Sequence, residues 1–407
     1  MQATMPATAS IPMPAKTLSA TKYRIESIDL LRGLIMLIMA LDHTRDFFNL
    51  HTPDPTDLAT TTPVLFFTRW ITHFCAALFV FLSGISANLA GSRRTKGQLS
   101  SFLIKRGLWL IAVEFVLITF AFTLDPLYHI FILQVIWVIG VSMIIMGLLI
   151  WLPLPAIAVI GGLLFFGHDI LDFIKLPDTG AGGSLWELFF TGRFSFLRAD
   201  KNHALIIIYA ILPWTGVMLA GYVMGQVYRP SFDPAKRKKI LLISGAVLVV
   251  LFVFLRAFNI YGDPAPWATQ KTAILSVISF FNVSKYPPSL MYLCMTIGPG
   301  LLLLAVSENV RSKLTRLLIV YGNVPLFYYL LHFYLLKAIN IIVFFAQGFT
   351  SKDIAPSGQN VFHPHEYGFN LFGVYMVWLL AIVILYFPCR WYSNYKKSHQ
   401  QWWLSYL

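Results

Sequence analysis

Charge is what this sequence has least of: 12% of its 407 residues are Asp, Glu, Lys or Arg, against roughly 25% in a soluble globular chain. So little charge cannot solvate the surface of a protein this size, which excludes a soluble or secreted domain. Cysteine is scarce as well. Cys75, Cys294 and Cys389 stand singly inside apolar runs, which excludes a disulfide framework and a thiolate metal site. No metal is expected from histidine either, because the close pair His363 and His365 lacks partners at ligand spacing. Residues 1–22 hold no apolar core of a signal peptide and read as a disordered cytoplasmic tail. Despite a net charge of +13, there is no zinc spacing, basic groove or soluble module to meet nucleic acid.

What is present is apolar. Hydrophobic residues make up 57% of the chain and aromatics 15%, with Trp70, Trp109, Trp151, Tyr228 and Trp391 placed as interface anchors beside apolar runs. Stretches long enough to cross about 30 Å of hydrocarbon fall near 28–47, 63–90, 101–123, 130–151, 154–168, 203–228, 239–259, 289–306, 322–346 and 370–392. Lys and Arg crowd into alternate loops, around Arg93 to Arg106, Arg229 to Lys239, Arg311 to Arg316 and at Lys396 and Lys397. The positive-inside rule makes those loops cytoplasmic. The expected fold is therefore all-α, a polytopic integral membrane protein of about ten transmembrane helices with both termini cytoplasmic. One domain would span 23–396, followed by a cytoplasmic tail at 397–407, and the location would be a bacterial cytoplasmic (inner) membrane. The loops left outside, 48–62, 124–129, 169–202, 260–288 and 347–370, are the long ones, and loops of such length are commonly functional. Within them, Gln270 to Ser289 reads as a re-entrant or interfacial helix. The segments LPWTG (Leu212 to Gly216) and IGPG (Ile297 to Gly300) are expected to break their helices.

The first helix concentrates the chemistry. It carries Asp29, Arg32, Asp42, His43, Arg45 and Asp46, although an ion at the centre of a membrane helix costs on the order of 3 kcal/mol. Asp29 and Arg32 sit three residues apart and can pair as an anchor. Eleven residues separate Arg32 from His43, which returns to nearly the same face about 16 Å farther along. A phosphorylated carrier held by Arg32 could extend its reactive end to His43; a core histidine bonded to a neighbouring helix is the structural alternative. Histidines His43, His51, His73, His129, His168, His203, His363 and His365 gather on the outer side, with His332 deeper, as expected of an outward-facing polar site. Gln134, Asn323 and Asn340 read as interhelical hydrogen-bonding groups, whereas Glu114 reads as part of the site.

These residues carry a resemblance. The run from Arg24 to Gly33 (RIESIDLLRG), the spacing of Arg32 and His43, and FVFLSG at Phe79 to Gly84 resemble the transmembrane acyltransferase superfamily. With LFFTRWITHFCA, LQVIWVIG, KYPPSL and YGNVPLFYYLLHFYL, the chain from Tyr23 to Lys396 looks most like bacterial membrane proteins grouped with the heparan-alpha-glucosaminide N-acetyltransferase catalytic domain. The resemblance implies transfer of an acetyl or other acyl group from cytoplasmic acyl-CoA to an amine or hydroxyl of an extracytoplasmic sugar or glycoconjugate. Acetyl-CoA would be a donor substrate, with no tightly bound cofactor. Arg32 would hold carrier phosphate. The O-acyltransferase branch marks His43 as the base, and the heparan branch marks the loop position nearest His51. Asp29, Asp42, His73, Glu114, Lys285 and His332 are the supporting or substrate-binding candidates. The implied partners are the lipid bilayer, acyl-CoA and the acceptor, and the apolar surface also allows a homo-oligomer. The alternatives from other classes are a secondary transporter or flippase for an anionic or lipid-linked solute and a scaffolding subunit of a glycan-assembly complex.

Overall fold

The structure is a computed structural model and describes residues 25–50, 54–174, 181–192, 194–355 and 361–405. In chain order its helices are α1 (Glu26–Phe48), α2 (Pro63–Gly91), α3 (Lys96–Val113), α4 (Thr119–Thr123), α5 (Val135–Leu149), α6 (Leu154–Gly167), α7 (Ala181–Trp186), α8 (Ile211–Met224), α9 (Pro234–Phe258), α10 (Ala273–Phe281), α11 (Leu290–Ser307), α12 (Lys313–Gly322), α13 (Pro325–Ala346) and α14 (Leu371–Ser398). A π-helical turn, Glu114–Ile118, joins α3 to α4 without a gap. Six helical stretches are long and apolar enough to cross a membrane: Pro63–Gly91, Leu154–Phe173, Pro234–Phe258, Leu290–Ser307, Pro325–Ala346 and Leu371–Ser398. The protein is thus a mostly helical integral membrane protein. The other apolar stretches of the sequence also contain helix, in α1, in α3 to α4, in α5 and in α8.

Apolar side chains cannot by themselves hold such helices together, because lipid is as apolar as leucine; close backbone approach does it instead. The tightest contacts are built from glycines facing one another. A Cβ on Gly33 would collide with the Leu318 carbonyl, and one on Gly322 with the Asp29 carbonyl, so α1 and α12 touch backbone to backbone. Gly84 and Gly221 do the same for α2 and α8. The core lies where α2 packs against α1, α8 and α11. The outermost faces belong to α9 and α14, where Val247, Val250, Phe254, Leu380, Val383 and Phe387 are exposed.

Three expectations need correction. The segments at 130–151 and 203–228 do not begin as helices. Ile130–Leu133 forms β1 and Ala204–Ile207 forms β3, which pair in parallel, while β2 (Ser195–Arg198) pairs antiparallel with β3. All-α therefore becomes mostly helical with a three-stranded sheet ordered β1-β3-β2. A four-residue apolar strand running straight into an apolar helix leaves no periodicity by which to separate the two. The expected breaks are absent as well. Pro213 sits in the first turn of α8, where its missing N–H has no helical partner to lose, and α11 continues through Pro299. The expected helix in Gln270 to Ser289 is present as the nine-residue α10.

The glycine contact between α1 and α12 also positions Arg32, which donates to the Gly322 carbonyl at 3.3 Å. Gly322→Val should force those helices apart. The expected cost is roughly 1–3 kcal/mol of overpacking, read as a lowered melting temperature in detergent, whereas Gly162, with nothing near its Cβ position, should accept valine unchanged.

Candidate active site

A cavity of about 630 Å³ opens at the His43 end of α1. α1 supplies Asp42, His43, Arg45 and Asp46 to it, and α2 supplies Arg69 and His73. Charges placed there must be neutralised locally, and they are. One Asp42 oxygen lies 2.9 Å from Arg45 and the other 2.5 Å from Arg69, while Arg45 also reaches Asp46 at 2.6 Å. The opposite wall is the loop after α10, with Lys285 and Tyr286. The Lys285 ammonium lies 5.1 Å from the Tyr286 ring centre.

That wall is held by a buried arginine. Arg256 donates to the carbonyls of Phe280, Ala265, Ser279 and Asn282 at 2.9, 2.7, 2.9 and 2.8 Å. Asp263, 3.8 Å away, accepts from Ser284 N–H and Ser289 O–H at 2.8 and 2.7 Å. Three carbonyls at the end of α10, those of Ser279, Phe280 and Asn282, are thereby satisfied by one fork of donors. The sheet forms the third side: β1 leads into Gln134 and β3 into Ile208 and Tyr209, and all three residues face the cavity.

His43 is bonded behind the cavity wall to a second imidazole, His43 Nδ1 to His332 Nε2 at 2.7 Å. The ring of His43 also stacks on Phe333, centres 4.4 Å apart. Direction follows from the far side of His332, whose Nδ1 lies 3.3 Å from the Tyr328 carbonyl. A carbonyl only accepts, so His332 Nδ1 carries the proton and, in the neutral ring, Nε2 is the acceptor. His43 Nδ1 then donates, and its Nε2 lone pair is turned to the cavity. This is the arrangement by which a second group fixes the tautomer of a basic imidazole.

At the Arg32 end a second, narrow space of about 80 Å³ runs between α1, α3, α5 and α13. Arg32, Ser83 and Arg106 line it, as do Val135, Ile136 and Tyr329. Arg32 is bonded to Asp29 at 2.9 Å, as the spacing of the two predicts, and to Ser86 Oγ at 2.9 Å. Gln134 faces the wide cavity while Val135 and Ile136 face the narrow groove, so the start of α5 separates the two. Glu114 holds that start. Its carboxylate, wholly buried in the π-helical turn, accepts from Gln134 N–H at 3.2 Å and Trp137 N–H at 3.1 Å. It occupies the donor-rich helix N-terminus, whose N–H groups have no helical partners.

The chain matches the sequence profile of the heparan-alpha-glucosaminide N-acetyltransferase catalytic domain over residues 24–261, more than half its length. It belongs to that family. A comparison with curated proteins gives no match. A membrane acetyltransferase is the class that this membership supports. The matched region of the N-acetyltransferase family contains Arg32, His43, Arg69 and Glu114, whereas Lys285, Tyr329 and His332 are brought to the same place from beyond it.

Of the residues singled out from sequence, Asp42, His43, His73 and Lys285 line the wide cavity, and His332 stands directly behind His43. Arg32, bonded to Asp29, lines the groove. Glu114 faces a helix end and neither space. His51 lies outside the described residues. Asn323 and Asn340 do bond across helices, to Ser393 Oγ at 3.0 Å and to the Phe47 carbonyl at 3.1 Å, but Gln134 opens on the cavity instead. Sequence reasoning missed Arg69, Arg106, Tyr209, Tyr286 and Tyr329. Arg69 could have been found, since an arginine inside the apolar run LFFTRWITHFCA is as costly as the ions of α1.

The Asp42 contacts give a direct test. Arg69→Gln strips a buried carboxylate of one of its two cations and should destabilise by roughly 3 kcal/mol. Adding Asp42→Asn should recover at least half of that, measured by thermal unfolding in detergent. Strictly additive losses would mean the two groups do not interact.

Proposed function

We propose that the protein transfers an acetyl or other acyl group from acyl-CoA, bound at the Arg32 end, to an amine or hydroxyl of a sugar or glycoconjugate in the wide cavity. The observation that carries this reading is that α1 presents Arg32 to one space and His43 to another of different character. One is narrow and lined by Arg32, Arg106 and mostly apolar side chains, which suits a linear thioester arm trailing phosphates. The other is wide and lined by paired ions and tyrosines, which suits a polar acceptor. In this reading His43 Nε2 takes the acceptor proton as the amine or hydroxyl attacks the thioester, and His332 is the positioning residue that keeps His43 in the basic tautomer. Family membership favours this over a transporter or a scaffold.

The loop charges support an orientation with the Arg32 end cytoplasmic and the wide cavity outside, in about ten spans, in a bacterial cytoplasmic membrane. Residues 23–396 would act as one domain, since the site draws on both halves of the chain. Cysteines introduced at Thr95 and Lys238 should be labelled only from the cytoplasm, and one at Pro55 only from outside. Labelling of Thr95 and Pro55 from the same side would overturn the orientation.

Kinetics test the roles. With purified protein, acetyl-CoA and a panel of amino sugars, His43→Ala should lower kcat by roughly 10² to 10⁴, while Arg32→Ala should mainly raise the KM for acetyl-CoA. Near-normal turnover by His43→Ala would reject the base assignment, and loss of turnover in His51→Ala instead would move that role to the loop.

A further inference from the structure

One tyrosine of the narrow groove stands beside the histidine pair. Tyr329 lies on α13 one turn before His332, and their ring centres are 5.4 Å apart. Its side chain lines the narrow groove. The residue is 2% exposed, yet among the described residues its hydroxyl has no hydrogen-bond partner.

An unpaired buried hydroxyl is costly, and several buried tyrosines here avoid it. Tyr292 donates to the His73 carbonyl at 2.6 Å, Tyr321 to Ile382 at 3.0 Å and Tyr367 to Asn340 at 3.2 Å. Tyr228, Tyr328 and Tyr392 also lack partners, but none of them lines the groove or the cavity. The other unpaired atoms on a cavity wall belong to Asp42 and Arg45, which form an ion pair with each other. Tyr329 is therefore the one uncharged donor, among the described residues, that is buried, unpaired and set on a wall of either space.

We propose that Tyr329 is a catalytic residue whose hydroxyl receives the carbonyl oxygen of the acyl thioester. The proposal rests on the acyl-transfer reading above and assigns the group that reading leaves out, the donor for the oxyanion. The acceptor nitrogen or oxygen bonds to the carbonyl carbon as its proton passes to His43 Nε2. The carbonyl electron pair moves onto oxygen, where the Tyr329 O–H donates to it and keeps its own proton. Return of that pair breaks the carbon–sulfur bond, and the departing thiolate takes the proton from His43. Nothing is oxidised or reduced, and the products are the acylated acceptor and free CoA.

Tyr329→Phe tests this cleanly, since it deletes a hydroxyl that no protein group uses. A purely structural tyrosine would leave turnover as it is. A catalytic one should cost roughly 10²- to 10³-fold in kcat, with both KM values and the shape of the pH profile unchanged, and with a melting temperature equal to or above wild type. Acetyl-CoA with glucosamine is the probe pair, and the full chain in detergent is the sample. If wild type and Tyr329→Phe turn over alike while His43→Ala is inactive, the Tyr329 role is wrong and acyl transfer stands. If Tyr329→Phe loses activity only in proportion to lost folded protein, the residue is structural and the proposal falls. If wild type acylates no amine or hydroxyl acceptor, the acyl-transfer reading falls and takes this one with it.

Discussion

The hydrogen bond between His43 and His332 is the contact on which the site depends. It joins α1, which brings Asp42, Arg45 and Asp46 to the cavity, to α13, which contributes the tyrosine lining the groove. It also settles a chemical question that position alone leaves open. An imidazole inside a bundle can be a donor, an acceptor or a cation, and the Tyr328 carbonyl behind His332 selects one arrangement for the neutral pair. The nitrogen left over is the one that faces the cavity.

Around that contact the fold solves a problem of charge. α1 brings ions into a region where they are expensive, and each is met by a partner at short range: Arg32 by Asp29, Arg45 by Asp42 and Asp46, Arg69 by Asp42. Glycines let the helices approach closely enough for these pairings and fix the depth of each side chain. The loop wall is organised by a different means, one arginine that gathers four carbonyls. A cavity held from three sides in this way keeps its shape with acceptor groups coming and going, which is what preorganised catalysis requires.

Much of this was legible in the residues. The charges of α1 stood out because insertion energetics make them improbable without a purpose, and the family resemblance led to His43 and Arg32. The six helices long and apolar enough to cross a membrane were legible from apolar length. What stayed hidden had physical causes. β1 and β3 are four-residue apolar strands fused to apolar helices, so no pattern marks them. Tyr329 belongs to an aromatic run, FYYLLHFY, in which every ring looks like a lipid or packing residue until its neighbours are known. Glu114 was expected in the site because a lone carboxylate in an apolar helix needs a reason; the reason is the bare N-terminus of α5, which sequence cannot bring alongside it.

The account's central claim is that the two spaces belong to opposite sides of the membrane and exchange an acyl group where they meet. Proteoliposomes holding the protein in one orientation, with labelled acetyl-CoA on one side and amino sugar on the other, measure it directly. Labelled acceptor should form when acetyl-CoA faces the Arg32 and Arg106 end and the sugar faces the His73 and Lys285 end, and not when the two are exchanged. Transfer only between donor and acceptor placed on the same side, with none across the bilayer, would contradict it.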